Sequence, residues 1–99
     1  MGIDELSATL RDAEPPAALS FALQALWWDG HGDWQRAHEC AQADETEPAS
    51  AWVHAYLHRK EGDLSNAAYW YRRANQPIFT GSLADEWQHL VNEILDIRQ

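Results

Sequence analysis

The 99-residue chain has a single cysteine, Cys40, so it can form neither an internal disulfide nor a cysteine-built zinc centre. Basic residues are also few: seven Lys plus Arg stand against sixteen Asp plus Glu, giving a net charge of −9. That balance argues against a nucleic-acid binder, which needs cations to displace the counterions of phosphate, and against docking on an anionic membrane. No apolar run approaches the roughly 20 residues of a membrane span. Residues 1–14 carry four acids and one Arg and lack the basic start and apolar core of a signal peptide, so the expected setting is cytoplasmic and reducing. The five glycines are scattered and form no phosphate-cradling loop. No Ser or Thr stands in a pattern that supplies a base.

The composition is that of a globular protein: 45% of residues are apolar and six are Trp, which a disordered chain would have no core to bury. One domain fits this length, and it can bury roughly 60–70% of its unfolded surface. Nearly every segment has helical period and none alternates like a half-buried strand. Ile3, Leu6 and Leu10 form a short first stripe that ends at Pro15 and Pro16. A second helix is expected over about 15–29, opened by proline, apolar nearly all round and therefore central, and closed by Gly30 and Gly32. Asp33 caps a third over about 34–42, with Trp34, Ala37, His38 and Ala41 on one face. Pro48 starts a fourth that runs to about Lys60 and carries Trp52, Val53, Tyr56 and Leu57. Gly62 closes it, and Asp63 caps a fifth with Leu64, Ala67, Ala68 and Tyr71, ended by Pro77. Ser82 and Asp85 read as a capping box before Leu83, Trp87, Leu90, Val91, Ile94 and Leu95.

Gly32-Asp33 superimposes on Gly62-Asp63 at an offset of 30, which sets Trp34 on Leu64, Ala37 on Ala67 and Ala25 on Ala55. Each unit is a helix, a glycine turn and a helix, and two such units are expected to stack on their apolar faces. Residues 52–74 resemble a tetratricopeptide repeat through Ala55, Leu64, Ala67, Tyr71 and Ala74, with His58 on an aromatic position and Pro77 a little early for the closing proline. The first unit is a degenerate copy: Ala25, Trp28, Gly32, Trp34 and Ala37 keep the pattern, Ala41 and Asp44 leave it, and the offset is shorter than the family's usual period of about 34. The run 52–59, with Gly62-Asp63 and residues 69–71, also resembles a block found in small uncharacterised bacterial proteins; that likeness implies no activity.

The expected fold is therefore all-α: two stacked antiparallel helical hairpins resembling tetratricopeptide repeats, with a short N-terminal helix and a C-terminal capping helix. By that resemblance, Trp52, Tyr56, Arg59 and Lys60 line a concave face, where aromatics offer stacking area and Arg a fork for carboxylate. The charge map agrees, since residues 1–51 balance to −8 and residues 52–75 to +2. The plainer account makes Arg72 and Arg73 cations offsetting a helix dipole, with the first or last helix covering the groove. His54 and His58 stand at i and i+4, and His38 lies on the stripe of the preceding helix, so three imidazoles are expected at one seam. They would serve as a metal site or, more simply, as partly buried histidines held by polar neighbours. Cys40 reads as packing, and Asp85 and Glu86 as acids of a first helical turn. The function expected first is a non-catalytic binding module for a peptide, a protein partner or a small acidic ligand, with no cofactor. The alternative is a small enzyme or metal-binding protein built on His38, His54 and His58.

Overall fold

The computed structural model describes residues 1–97. Its elements are α1 (Ile3–Ala8), a 3-10 turn (Thr9–Arg11), α2 (Phe21–Gly30), α3 (Trp34–Gln42), α4 (Pro48–Lys60), α5 (Leu64–Ala74) and α6 (Leu83–Ile97). No strand forms among the described residues, and none of the helices is long and apolar enough to cross a membrane.

The chain between α2 and α3 repeats its hydrogen bonding between α4 and α5. The Gly32 amide donates to the Asp29 carbonyl and the Asp33 amide to that of Trp28; 30 residues on, Gly62 donates to Arg59 and Asp63 to His58. This paired closure needs a left-handed residue, which glycine adopts without penalty: φ is 99° at Gly32 and 88° at Gly62. Each turn hands over directly to a cap. The Asp33 carboxylate accepts from the Arg36 amide at 3.0 Å, and the Asp63 carboxylate from that of Asn66 at 3.3 Å.

One boundary differs from expectation. α2 begins at Phe21 and not near Pro15, and Gly30 belongs to its last turn instead of closing it. Pro16 disfavours helical backbone at Pro15, and Ala18 takes a left-handed φ of 69°, so residues 15–20 run as a loop. Ser20 then supplies the cap, its Oγ accepting from the Leu23 amide at 3.2 Å.

α2 packs on α3 and α4 on α5 across the two turns, while α3 and α2 both lie against α4. α6 lies over α2 and α4 and reaches α1, whose Leu6 is fully buried. Its stripe of Leu90, Val91, Ile94 and Leu95 completes a core that includes Leu23, Trp27, Val53 and Leu57. α4 is thus surrounded by four helices and is buried continuously from Ser50 to His58. The central position expected of α2 is filled by α4, although α2 is also buried along most of its length.

Candidate functional site

Polar side chains on a helix packed by four others are costly to bury without partners. α4 carries five such side chains in its last two turns, and they leave it in three directions.

Toward α2, Tyr56 and Lys60 both reach Asp29. The phenol donates to Oδ2 at 2.5 Å and the ammonium to Oδ1 at 2.8 Å. Asp29 is only 5% exposed, whereas the Lys60 side chain is 39% exposed, so the pair spans the protein boundary. Burial, and then the bond to Asp29, push the Tyr56 phenol well above its ordinary range. Over this pair opens a cavity of about 400 Å³, walled by Leu10, Leu83 and Trp87. The Trp87 indole is fixed by its N–H donating to the Leu26 carbonyl at 2.8 Å. Gly30 lets these walls approach α2: a Cβ there would lie 3.0 Å from the Trp87 ring and 3.2 Å from the Leu10 methyls.

Toward α6, Arg59 meets Glu86, which is fully buried. The guanidinium donates from Nη1 to Oε1 at 2.9 Å, Tyr71 donates to Oε2, and Nη2 donates to the Gly81 carbonyl. Burial, followed by the hydrogen bond to Glu86, raises the Tyr71 phenol above its usual range. Beside this knot lies a second cavity of about 190 Å³, with Trp52, Pro77, Phe79 and His89 in its walls.

Toward α3 and α5, three imidazoles converge. His38 and His54 face each other with their Nε2 atoms 3.0 Å apart. The His58 Nδ1 lies 2.6 Å from the Glu61 carboxylate, and its Nε2 lies 3.4 Å from the Asn66 amide nitrogen. Trp34 stacks on His38 at 5.0 Å and Trp70 on His54 at 3.9 Å. Burial first, and the neighbouring imidazoles next, push His54 down to about 3. His38 also falls below its ordinary value, by burial and then by the proximity of His58.

The four residues placed on one concave face are therefore divided. Tyr56 and Lys60 line the larger cavity and Trp52 the smaller, while Arg59 stands between them with its charge already paired. Trp52 and Tyr56 are buried, because α6 lies over α4 where open groove was expected. The carboxylate that Arg59 holds is the chain's own. By contrast, the three histidines gather as their register implied. Cys40 is half-buried, with its thiol raised by burial, as a packing residue would be.

Asp29 and Glu86 take partners the sequence did not indicate: Asp29, a candidate for the outer shell of a histidine metal site, is instead held by Tyr56 and Lys60. Glu86 read as an acid favoured by the helix dipole, yet it lies in register with Leu83 and Leu90 on the apolar stripe of α6. An acid on such a stripe is itself a sign of a buried partner.

Comparison with protein-family models, with curated proteins and with solved structures finds no match to this chain.

Proposed function

We propose that the chain is a non-catalytic binding module in which two tetratricopeptide-like hairpins, α2–α3 and α4–α5, stack between a short N-terminal helix and the capping helix α6. The repeated turn bonding at Gly32-Asp33 and Gly62-Asp63 supports the repeat reading. Its ligand site is the cavity over Asp29, Tyr56 and Lys60. The ligand is a small carboxylic acid, or a peptide ending in a free carboxylate, with an apolar body to lie against Trp87.

One observation carries this reading. A cavity of about 400 Å³ with apolar walls ends in a half-exposed ammonium held in place by a buried acid. Small-ligand sites run from about 300 to 1,000 Å³ and combine apolar walls with a few placed polar groups. Lys60 uses one of its three donors on Asp29, which leaves two for an incoming carboxylate. Both Asp29 oxygens are engaged, an arrangement suited to positioning the ammonium and not to moving a proton.

Calorimetric titration with aromatic and aliphatic carboxylic acids and with short peptides tests the reading. Binding is expected to weaken about tenfold or more in Lys60→Ala, the worth of a charge-assisted hydrogen bond. It should disappear in Ala84→Trp, where a large ring fills the cavity from the exposed side of α6. Equal binding by all three proteins contradicts the site.

A further inference from the structure

Away from that cavity, on the opposite side of α4, His38, His54 and His58 form an all-imidazole cluster of potential ligand atoms, more buried than the neighbouring group of His58, Glu61 and Asp63. We propose that these three imidazoles form a site for one divalent first-row transition metal ion, zinc foremost, with water in the remaining position. Each residue offers a ring nitrogen, and the three nitrogens lie within 4.8 Å of one another. A tetrahedral zinc ion with bonds of about 2.0–2.1 Å holds its ligand nitrogens about 3.3–3.4 Å apart. The His38 and His54 Nε2 atoms, at 3.0 Å, are close to that spacing already. A ring nitrogen of His58, on the same helix as His54, lies within 4.8 Å of both and completes the set.

The surroundings match what such a site requires. Two of the ligands stand one turn apart on α4, the most enclosed helix of the fold. Trp34 and Trp70 clamp the His38 and His54 rings by stacking, and the Trp34 indole is itself tied to the Leu57 carbonyl at 3.0 Å. Glu61 holds the His58 Nδ1 at 2.6 Å, so Nε2 carries the lone pair, and a metal there would displace the long 3.4 Å contact from the Asn66 amide; a carboxylate behind a ligating imidazole fixes its tautomer and raises its basicity. Imidazole donors suit zinc, copper and nickel, and the absence of a thiolate or a clustered carboxylate set makes a calcium or iron–sulfur site a poor fit.

One buried ring nitrogen of the cluster has no hydrogen-bond partner. Two neutral imidazoles meeting through their Nε2 atoms share one proton, so one of them only donates and the other only accepts. In either tautomer the buried His54 Nδ1 finds no hydrogen-bond partner. A cation bound through both Nε2 lone pairs would take the place of that shared proton and hold each ring in its Nδ1–H tautomer.

The test uses the full chain purified without a histidine tag and stripped with a chelator. Zinc is titrated in competition with a chromophoric chelator, and cobalt(II) is followed by its visible absorption. One ion per chain is expected, with the intense absorption of four-coordinate cobalt. His38→Gln should weaken zinc binding at least about 100-fold, and Glu61→Gln, a positioning change, about 10- to 100-fold. The helical circular dichroism of each stripped variant should equal that of the unaltered protein. A readout independent of any variant is the ring-nitrogen resonances of the native chain. Zinc should move those of His38, His54 and His58 together and leave those of His31 and His89 in place. No saturable uptake, undiminished binding in His38→Gln, or movement of the His31 or His89 resonances instead overturns the site.

Discussion

Arg59 and Glu86 are 27 residues apart in the chain and meet at 2.9 Å, joining the end of α4 to the first turn of α6. Glu86 is wholly buried and the Arg59 side chain is 18% exposed, so the pair closes α6 over α4 from the inside. Removing one member of such a pair leaves a desolvated charge behind. Arg59→Ala is therefore expected to lower the unfolding free energy by about 3–5 kcal/mol in urea titrations. Arg59→Ala combined with Glu86→Leu should recover part of that loss, because the stranded carboxylate is gone. A loss-free Arg59→Ala would show that the pair does not hold α6.

The buried phenols predict behaviour at high pH. Tyr56 and Tyr71 both have folded-state values raised above the ordinary value of about 10, chiefly by burial. Below pH 10 their contribution is fully present. Above it the unfolded chain releases protons that the folded chain keeps, so stability falls as pH rises. In an alkaline titration, tyrosinate absorbance equivalent to these two residues should grow only as the helical signal is lost. Ionisation of all the tyrosines before any loss of helix would contradict their burial.

In acid the histidines of the metal-free protein act in the opposite sense. His54 is lowered to about 3 and His38 is lowered as well, so stability is intact above the unfolded value of about 6.5. As pH falls from there toward 3, the unfolded chain takes up protons that the folded His54 refuses. The loss is about 1.4 kcal/mol per pH unit for that residue. Urea midpoints measured through this range should fall less steeply in His54→Phe, whose ring can stack on Trp70 without a proton to gain. Identical slopes would show that His54 titrates freely.

Gly30 predicts a local effect. A β-carbon there would meet the Trp87 ring at 3.0 Å, and that indole is pinned by its bond to the Leu26 carbonyl. Gly30→Val should therefore displace Trp87, shift its indole N–H resonance and cost about 1–3 kcal/mol through overpacking. An unmoved indole resonance would show that the wall has room to spare.

The sequence made the turns and the histidine seam legible for the same reason: both depend on short-range register. Gly-Asp repeated at 30 residues gives two like turns, and His54 and His58 share a face by helical geometry alone. His38 joins them because α3 follows its turn directly. The start of α2 was obscured by prolines, which suit a first helical turn as well as the loop that forms. The buried acids were obscured by distance. Asp29 finds Lys60 31 residues on, and Glu86 finds Tyr71 15 residues back, pairings that local periodicity does not encode. The covering of α4 by α6 follows from those same long-range pairs and from the stripe of Leu90 and Val91. Hence the expected groove was divided into two cavities.

The most direct test of the binding reading is a nuclear magnetic resonance screen of small carboxylic acids and carboxylate-ended peptides against the isotope-labelled protein. Saturable shifts are expected at the Gly30 and Ala84 amides and the Trp87 indole N–H, with the same ligands leaving those signals unmoved in Ala84→Trp. Shifts centred instead on Trp52 and His89, or no saturable shift at the Asp29–Lys60 cavity from any of these ligands, would contradict that reading.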